Sequence, residues 1–310
     1  MPRRRLGVVL LIPPPIAHEV DGLRRALGDG TLGRVAPHIT LIPPVNVGEE
    51  DLPEALGLVR AAAAAAVPLT LDIGPLETFL PVNPVVYLAV GGPSLPTVHI
   101  LRAALLAGPL DRPPVHDYVP HVTVADDLDE EGIPAAMAAL SGYRHMIVRL
   151  GLLHVLQEVH DDEDQRVWRP IAGVALGPPS VVGRGGLELV IEVHDRVPPD
   201  GEALGADREP ADVVLVARRD DAVVGLLGGR VRGVKAWLEW VEVDPTVEGE
   251  GVGSQILAAF ESVTAERGAT RVFARAEPGA RAESFLAGRG WAREDPPPMV
   301  RGRIGPVGGP

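Results

Sequence analysis

Pro37-His38-Ile39-Thr40-Leu41 and Pro120-His121-Val122-Thr123-Val124 write one five-residue pattern twice in the first half of the chain. In an extended strand, successive side chains point to opposite faces, so each His shares a face with its Thr while Ile39 or Val122 faces the other way. Each pentapeptide closes a longer repeat. Val8–Ile12 reads as a strand, Leu23–Leu27 lies in a helical stretch, and the first motif follows. Val85–Ala89, Leu101–Leu105 and the second motif then repeat that order. The repeat predicts an α+β domain of two similar lobes related by a pseudo-twofold.

Around this frame, Glu49–Ala66 reads as a helix with acidic residues in its first turn and an Ala-rich end. Leu69–Ile73 alternates as a strand, and Glu130–Leu140 is a predicted helix. His145–Leu156 and Val167–Ala172 are predicted strands on either side of the acidic turn His160–Asp164. Residues 177–186, within the Gly- and Pro-rich stretch GVALGPPSVVGRGG, read as a linker between domains 1–176 and 187–310. The pattern beyond it is a mixed α/β one. Leu187–Val193, Val213–Ala217, Val223–Arg230 and Trp237–Val243 are predicted strands, with Arg219-Asp220-Asp221 as a hairpin turn. A glycine-rich loop, Glu248–Gly253, opens a helix from Ser254 to about Glu266. Strand Arg271–Ala276, helix Arg281–Ala287 and a last strand from Gly290-Trp291 complete it.

Composition sets outer limits. The 310 residues suffice for two domains, each with its own core, and 46% hydrophobic against 23% charged residues is a globular balance. Aromatics are only 4%, so Leu, Val, Ile and Ala must fill the core. The absence of cysteine excludes disulfides, thiolate zinc sites and thiol nucleophiles, and suits a cytoplasmic protein. Arg3-Arg4-Arg5 ahead of Leu6–Ile12 imitates a short signal peptide, but the run ends at Pro13-Pro14-Pro15 and reads as a first strand. No stretch is long and apolar enough to span a bilayer. Net charge is −13, divided −8 over 1–176 and −5 over 177–310, so neither half has the positive excess that extended nucleic-acid binding requires. A nucleotide, or the end of an RNA, fits this balance better.

Two facing His-x-Thr strands would present two imidazoles and two hydroxyls to one cleft. That set suits cleavage of a phosphodiester. A neutral imidazole takes a proton from the attacking water or hydroxyl, and a protonated one supplies the departing oxygen. The Thr hydroxyls donate to non-bridging phosphate oxygens, where negative charge must be held. The rival reading gathers His116, His121 and the Asp161, Asp162 and Asp164 turn around a metal, but Thr is a poor zinc ligand and the spacing matches no common site. No metal is expected. Phe79 and Tyr87, lone aromatics on strands, read as core.

Residues 1–176 resemble the two-histidine phosphoesterases, the 2′-5′ RNA ligase and cyclic phosphodiesterase group. They are most similar to a small bacterial branch with a Phe-x-Pro-Val-Asn element, here Phe79-Leu80-Pro81-Val82-Asn83. The resemblance implies a bilobal fold and hydrolysis of 2′,3′-cyclic or 2′-5′ phosphodiesters, with His38, Thr40, His121 and Thr123 in the catalytic positions. Many relatives carry an Arg shortly after the second motif, where this chain has Ala125-Asp126-Asp127.

Glycines let backbone N–H groups approach a ligand, and a helix N-terminus favours phosphate, so the loop before Ser254 is a candidate anion site. It is too short for a Walker motif and lacks the lysine. With Val241–Pro245 before it, and Ala282–Leu286 ahead of Gly290-Trp291 after it, the second half resembles the GNAT acetyltransferases. The resemblance implies acetyl-CoA held by Val243, Gly249, Glu250, Gly251, Val252, Gly253 and Ser254, with Glu239 or Glu242 as a general base. Three positions depart from that family: Glu248 replaces a usual Arg or Gln, Leu286 a frequent Tyr, and the short Arg196–Asp212 segment replaces helices that shape the acceptor site. Besides a phosphodiesterase fused to an acetyltransferase-like domain, two other functions are open: an acetyltransferase whose first domain recognises the acceptor, and a nucleotide sensor without catalysis.

Overall fold

A computed structural model of the chain describes every residue except 1, 31, 114–115, 127, 129–130, 142, 144–145, 206–207, 277–278, 295–298 and 304–310, and omits the side chains of 294 and 299–303. The chain divides into two compact units, Met1–Pro178 and Pro179–Pro310.

The first unit holds two antiparallel four-stranded sheets. One runs β8-β7-β1-β2, from β1 (Arg3–Leu11), β2 (His38–Gly48), β7 (Leu152–His160) and β8 (Arg166–Ala175). The other runs β5-β4-β3-β6, from β3 (Leu69–Thr78), β4 (Val86–Gly91), β5 (His121–Ala125) and β6 (Met146–Leu150). The helices are α1 (Ile16–Leu27), α2 (Leu52–Ala64), α3 (Leu95–Leu105) and α4 (Gly132–Ala139). Period-2 patterning fixes which face of each sheet is dry. Ile39, Leu41, Val122 and Val124 are fully buried, whereas His38, Thr40, His121 and Thr123 on the opposite faces are half-buried. Each buried aliphatic side chain contributes on the order of 1.5–3 kcal/mol, so a one-residue slip would bury the histidines at the expense of that core.

The helices cross over. α1 follows β1 in sequence but packs on β5, and α3 follows β4 but packs against β2. Each lobe therefore backs the other lobe's histidine strand. The single strand predicted for 145–156 is instead two strands in different sheets, β6 on β3 and β7 on β1, with Gly151 between them. The first residues predicted for that strand and for the preceding helix, His145 and Glu130, lie outside the described residues.

The second unit is one sheet in the order β10-β11-β12-β13-β14-β16-β15, from β10 (Leu187–His194), β11 (Val213–Arg219), β12 (Ala222–Arg232), β13 (Lys235–Val243), β14 (Arg271–Arg275), β15 (Ala292–Glu294) and β16 (Met299–Arg303). A short β9 (Ser180–Val182) pairs with β10, so the Gly- and Pro-rich stretch read as a linker carries a strand. The β11–β12 hairpin turns on Asp220 and Asp221, both at positive φ (46° and 67°), which is the twist-matched two-residue turn. β13 and β14 run parallel, joined by α5 (Val252–Glu266), and α6 (Arg281–Ala287) follows β14. α5 packs over β11, β12 and β13, where Gly229 leaves room for the ring of Phe260. Among the described residues no helix is long and apolar enough to cross a membrane.

Candidate active site

β2 and β5 are not hydrogen-bonded to each other, yet their Cα atoms come within 8 Å, which brings the two motifs to one place. Both begin X-Pro-His. Proline pushes the residue before it into an extended conformation. In each motif that residue's carbonyl meets the histidine ring. His38 Nδ1 lies 2.7 Å from the Ala36 carbonyl, and His121 Nδ1 lies 2.7 Å from the Val119 carbonyl. A carbonyl only accepts, so in both rings Nδ1 carries the proton and the unprotonated Nε2 lone pair is left for chemistry. Neither Nε2 is hydrogen-bonded to another described residue.

Burial holds both rings neutral. It lowers the His38 pKa to about 4, with the nearby Arg24 and His121 charges acting in the same direction against the bond to Ala36. Burial lowers that of His121 as well, against the bond to Val119. Thr40 pairs in register with Val9 on β1, and Thr123 with Tyr87 on β4, so both hydroxyls sit on the same sheet faces as the imidazoles. The four residues singled out from the motifs are thus gathered in one place.

Phe79 and Tyr87, read as core, do more than fill it. Tyr87 is buried, but the two rings stack at 4.1 Å and meet His121 edge-on at 5.0 and 5.4 Å, forming its wall. Arg24, Arg102 and Tyr118 also bear on the site but belong to no sequence motif. Arg24 is 1% exposed on α1, in the Ala17–Val20–Arg24 stripe where an apolar residue is expected. Its charge at a buried helix position was the one available signal. Burial lowers the pKa of Arg24, opposed by the charges of Asp21 and Asp29 and, more weakly, of Asp126 after the second motif. Among the described residues no group of three His, Asp or Glu is arranged to hold a metal.

In the second unit, β13 pairs with β14 only from Lys235 to Leu238. There Glu239 is an extra residue in the β12 ladder, because Gly229 faces Leu238 and Gly228 faces Trp240. Past this bulge β13 is no longer paired with β14, and a cleft of about 570 Å³ lies between them, lined by Val243, Gly249, Gly251–Ser254, Phe285 and Leu286 among others. Gly249 (φ 82°) and Gly251 (φ 90°) adopt left-handed backbone that leads into α5. Of the residues proposed to hold the cofactor, Val243, Gly249, Gly251, Val252, Gly253 and Ser254 line the cleft. Glu250 is the exception, because it packs against Gly183 of the Gly- and Pro-rich stretch.

The acidic residues around this cleft are engaged. Glu248 pairs with Arg281, Glu239 with Arg230 at 2.5 Å, and Glu242 with Arg208 at 2.6 Å. On β10 and β11, Glu192, His194 and Arg218 form a buried polar cluster. Glu192 accepts from Arg218 Nε at 2.9 Å, and its carboxylate lies 2.8 Å from His194 Nε2.

A model of the 2′-5′ RNA ligase superfamily matches residues 12–161, and one of the acetyltransferase (GNAT) family matches residues 189–291. A protein of Bacillus pumilus named "Putative phosphoesterase" is 32% identical over 123 residues, which are 40% of this chain and 71% of that one. A like-named protein of Bacillus licheniformis is 27% identical over 154 residues, 48% of this chain and 89% of the relative. Among solved structures, E. coli LigT complexed with 3′-AMP is 17% identical over 56% of this chain and 99% of its own, with a TM-score of 0.41. The PaiA N-acetyltransferase of Thermoplasma acidophilum in complex with coenzyme A is 18% identical over 29% of this chain and 59% of its own, less than two thirds of its length, with a TM-score of 0.28. By the two family models and the Bacillus pumilus relative, the chain belongs to the 2′-5′ RNA ligase superfamily of two-histidine phosphoesterases and carries a GNAT acetyltransferase family domain after it.

Proposed function

We propose that the first domain, residues 1–176, hydrolyses 2′,3′-cyclic or 2′-5′ phosphodiesters of nucleotides or RNA ends without a metal ion. The observation that carries this is the twin hydrogen bond: two imidazoles, each held through Nδ1 by a carbonyl two residues back, each with Nε2 unclaimed by any other described residue. His38, whose proton affinity is held down by burial and by Arg24, acts as the base. Its Nε2 takes a proton from water as the oxygen attacks phosphorus. Protonated His121 gives its Nε2 proton to the departing ribose oxygen, and the product is a phosphomonoester. His38 is left charged and His121 neutral, and exchange with solvent resets both. The anionic substrate itself favours protonation of His121, because an opposite charge nearby stabilises imidazolium. Thr40 and Thr123 donate to the non-bridging oxygens.

Residues 187–310 are proposed to bind acetyl-CoA in the cleft beside β13, with 177–186 joining the two domains. The unpaired stretch of β13 past Glu239 and the left-handed glycines ahead of α5 suit an extended ligand with an anionic end. Acetyl-CoA, when bound, would supply an activated acetyl group. Glu242 becomes available as a base only if Arg208 releases it.

The test incubates the 310-residue protein with 2′,3′-cyclic AMP and with 2′-5′ linked diadenosine in EDTA. Turnover that is lost in His38→Ala and in His121→Ala is expected. Turnover that survives either change, or a cyclic nucleotide that binds and stays intact, defeats the hydrolytic reading; the second result would leave a sensor.

A further inference from the structure

The catalytic strands are held by hydrogen bonds that originate in the opposite lobe. Arg24 leaves α1, the helix of the first lobe, and its Nε and Nη2 donate to the Thr123 carbonyl on β5 at 3.2 and 3.1 Å. Its Nη1 donates to the Val35 carbonyl at 2.8 Å, three residues before His38, and to Asp21 at 3.3 Å. One buried guanidinium thus joins the approach to the first histidine with the Thr of the second motif. The partner repeat answers in kind. Arg102 occupies the matching position of the second helix, Leu101-Arg102 against Leu23-Arg24. From α3 it donates to the Leu41 carbonyl on β2. Its guanidinium lies 4.2 Å from the centre of the Tyr118 ring, and Tyr118 Oη donates to the Thr40 carbonyl at 2.8 Å.

We propose that Arg24 and Arg102 are paired positioning residues, each reaching from one lobe to the His-x-Thr strand of the other and so setting the separation of the two imidazoles. This rests on the phosphodiesterase reading given above. The physical need is plain. Among the described residues, each histidine ring is hydrogen-bonded to its own segment, through the carbonyl two residues back. Nothing in that local device fixes one strand against the other, and β2 and β5 share no ladder. In-line displacement needs both rings at one phosphate, and a misplacement of about 1 Å costs roughly 100-fold in rate. Arginine suits the task because its planar fork meets several carbonyls at fixed angles while it stays charged. Burial at 1% exposure is tolerated because the carbonyls and Asp21 take its protons. The Arg24 guanidinium is committed through Nε, Nη1 and Nη2 to the two carbonyls and Asp21, so it does not replace the arginine missing after Thr123.

The test measures kcat and KM for 2′,3′-cyclic AMP with the full chain, with folding checked by circular dichroism and active sites counted by titration with product nucleotide. Arg24→Lys and Arg102→Met, each taken per folded site, are expected to lower kcat about 10- to 100-fold with KM changed less than about threefold. Arg102→Lys, which retains one donor, should recover part of the loss. The double variant should lose less than the product of the two single losses, because the pair sets one distance. If an Arg24 variant does not fold, the half-buried Arg102 series decides alone. Turnover lost in His38→Ala but with kcat unchanged in the arginine variants overturns this inference and leaves the phosphodiesterase reading standing, as does a loss confined to KM. No turnover by the unmodified protein removes both.

Discussion

His38 and Glu242 are each a candidate base on a strand lining a site, and they are held in opposite ways. His38 is fixed by one backbone carbonyl at Nδ1, and no other described residue hydrogen-bonds its reactive edge. Glu242 meets Arg208 through Nε at 2.8 Å and Nη2 at 2.6 Å, and Gly205 lies so close that an added methyl group would overlap the carboxylate. The contrast extends outward. In the first unit the charged side chains nearest the motifs grip backbone carbonyls. In the second, Glu239, Glu242, Glu248 and Glu192 are each neutralised by arginine. The difference teaches that pre-orientation and availability are separate properties. His38 has both, and Glu242 has order without availability.

The sharpest way to break the comparison is to remove an imidazole. His38→Ala and His121→Ala are each expected to lower kcat by about 10²- to 10⁴-fold in a cyclic-nucleotide assay, the range of general acid–base catalysis. Glu242→Gln should leave that assay unchanged.

A second measurement probes the neutralised side. Glu192→Gln leaves Arg218 and His194 without their shared carboxylate, and should destabilise the second unit by about 3–5 kcal/mol in urea unfolding. Burial alone would raise the Glu192 pKa, but His194 and Arg218 bring it down to about 2 from 4.5. A carboxyl with a depressed folded pKa stabilises above its unfolded value. The stability it adds is therefore lost as pH falls from about 4.5 toward 2, and Glu192→Gln should flatten that limb of the unfolding curve.

The pH dependence of kcat/KM sharpens the first half of the comparison. The base His38 must be neutral, so activity should rise as pH increases through about 4. The acid His121 must be protonated, so activity should fall as pH rises through its own pKa, which lies below 6.5. An optimum on the acidic side of neutrality follows, and the alkaline limb of kcat should lie above that of kcat/KM because bound phosphate favours imidazolium. An optimum at pH 8 would contradict the assignment.

The smallest expected effect lies at the loop. Glu248→Gln releases Arg281 and removes a carboxylate beside the proposed anion site, so acetyl-CoA should bind a few-fold tighter by calorimetry, in keeping with an exposed ion pair worth roughly 0.2–1 kcal/mol. Weaker binding would mean that Glu248 holds the ligand rather than repelling it.

The legible parts of this molecule were those that repeat or alternate. The His-x-Thr pair, its faces and the β–α–β order around it follow from period-2 patterning, and the Asp220-Asp221 hairpin from turn chemistry. What stayed hidden depends on pairing across long separations. Nothing local in 145–156 shows that Gly151 hands the chain from one sheet to the other, because both halves read as strand. Arg24 and Arg102 read as ordinary helix cations, since their acceptors, Thr123 and Leu41, lie far along the chain. The ion pair of Glu242 was invisible for the same reason.

The Ala36 and Val119 carbonyls give the two motifs a self-contained character. Each pentapeptide, with the residue before its proline, supplies its own strand face, its own ring orientation and its own proton tautomer. Such a segment is portable. Ile39-Leu41 and Val122-Val124 differ only in aliphatic shape, so a chain carrying the second segment at the first position should retain a working half-site. A two-handed catalyst of this kind is within reach of simple gene duplication, because one copied segment brings with it a complete hand.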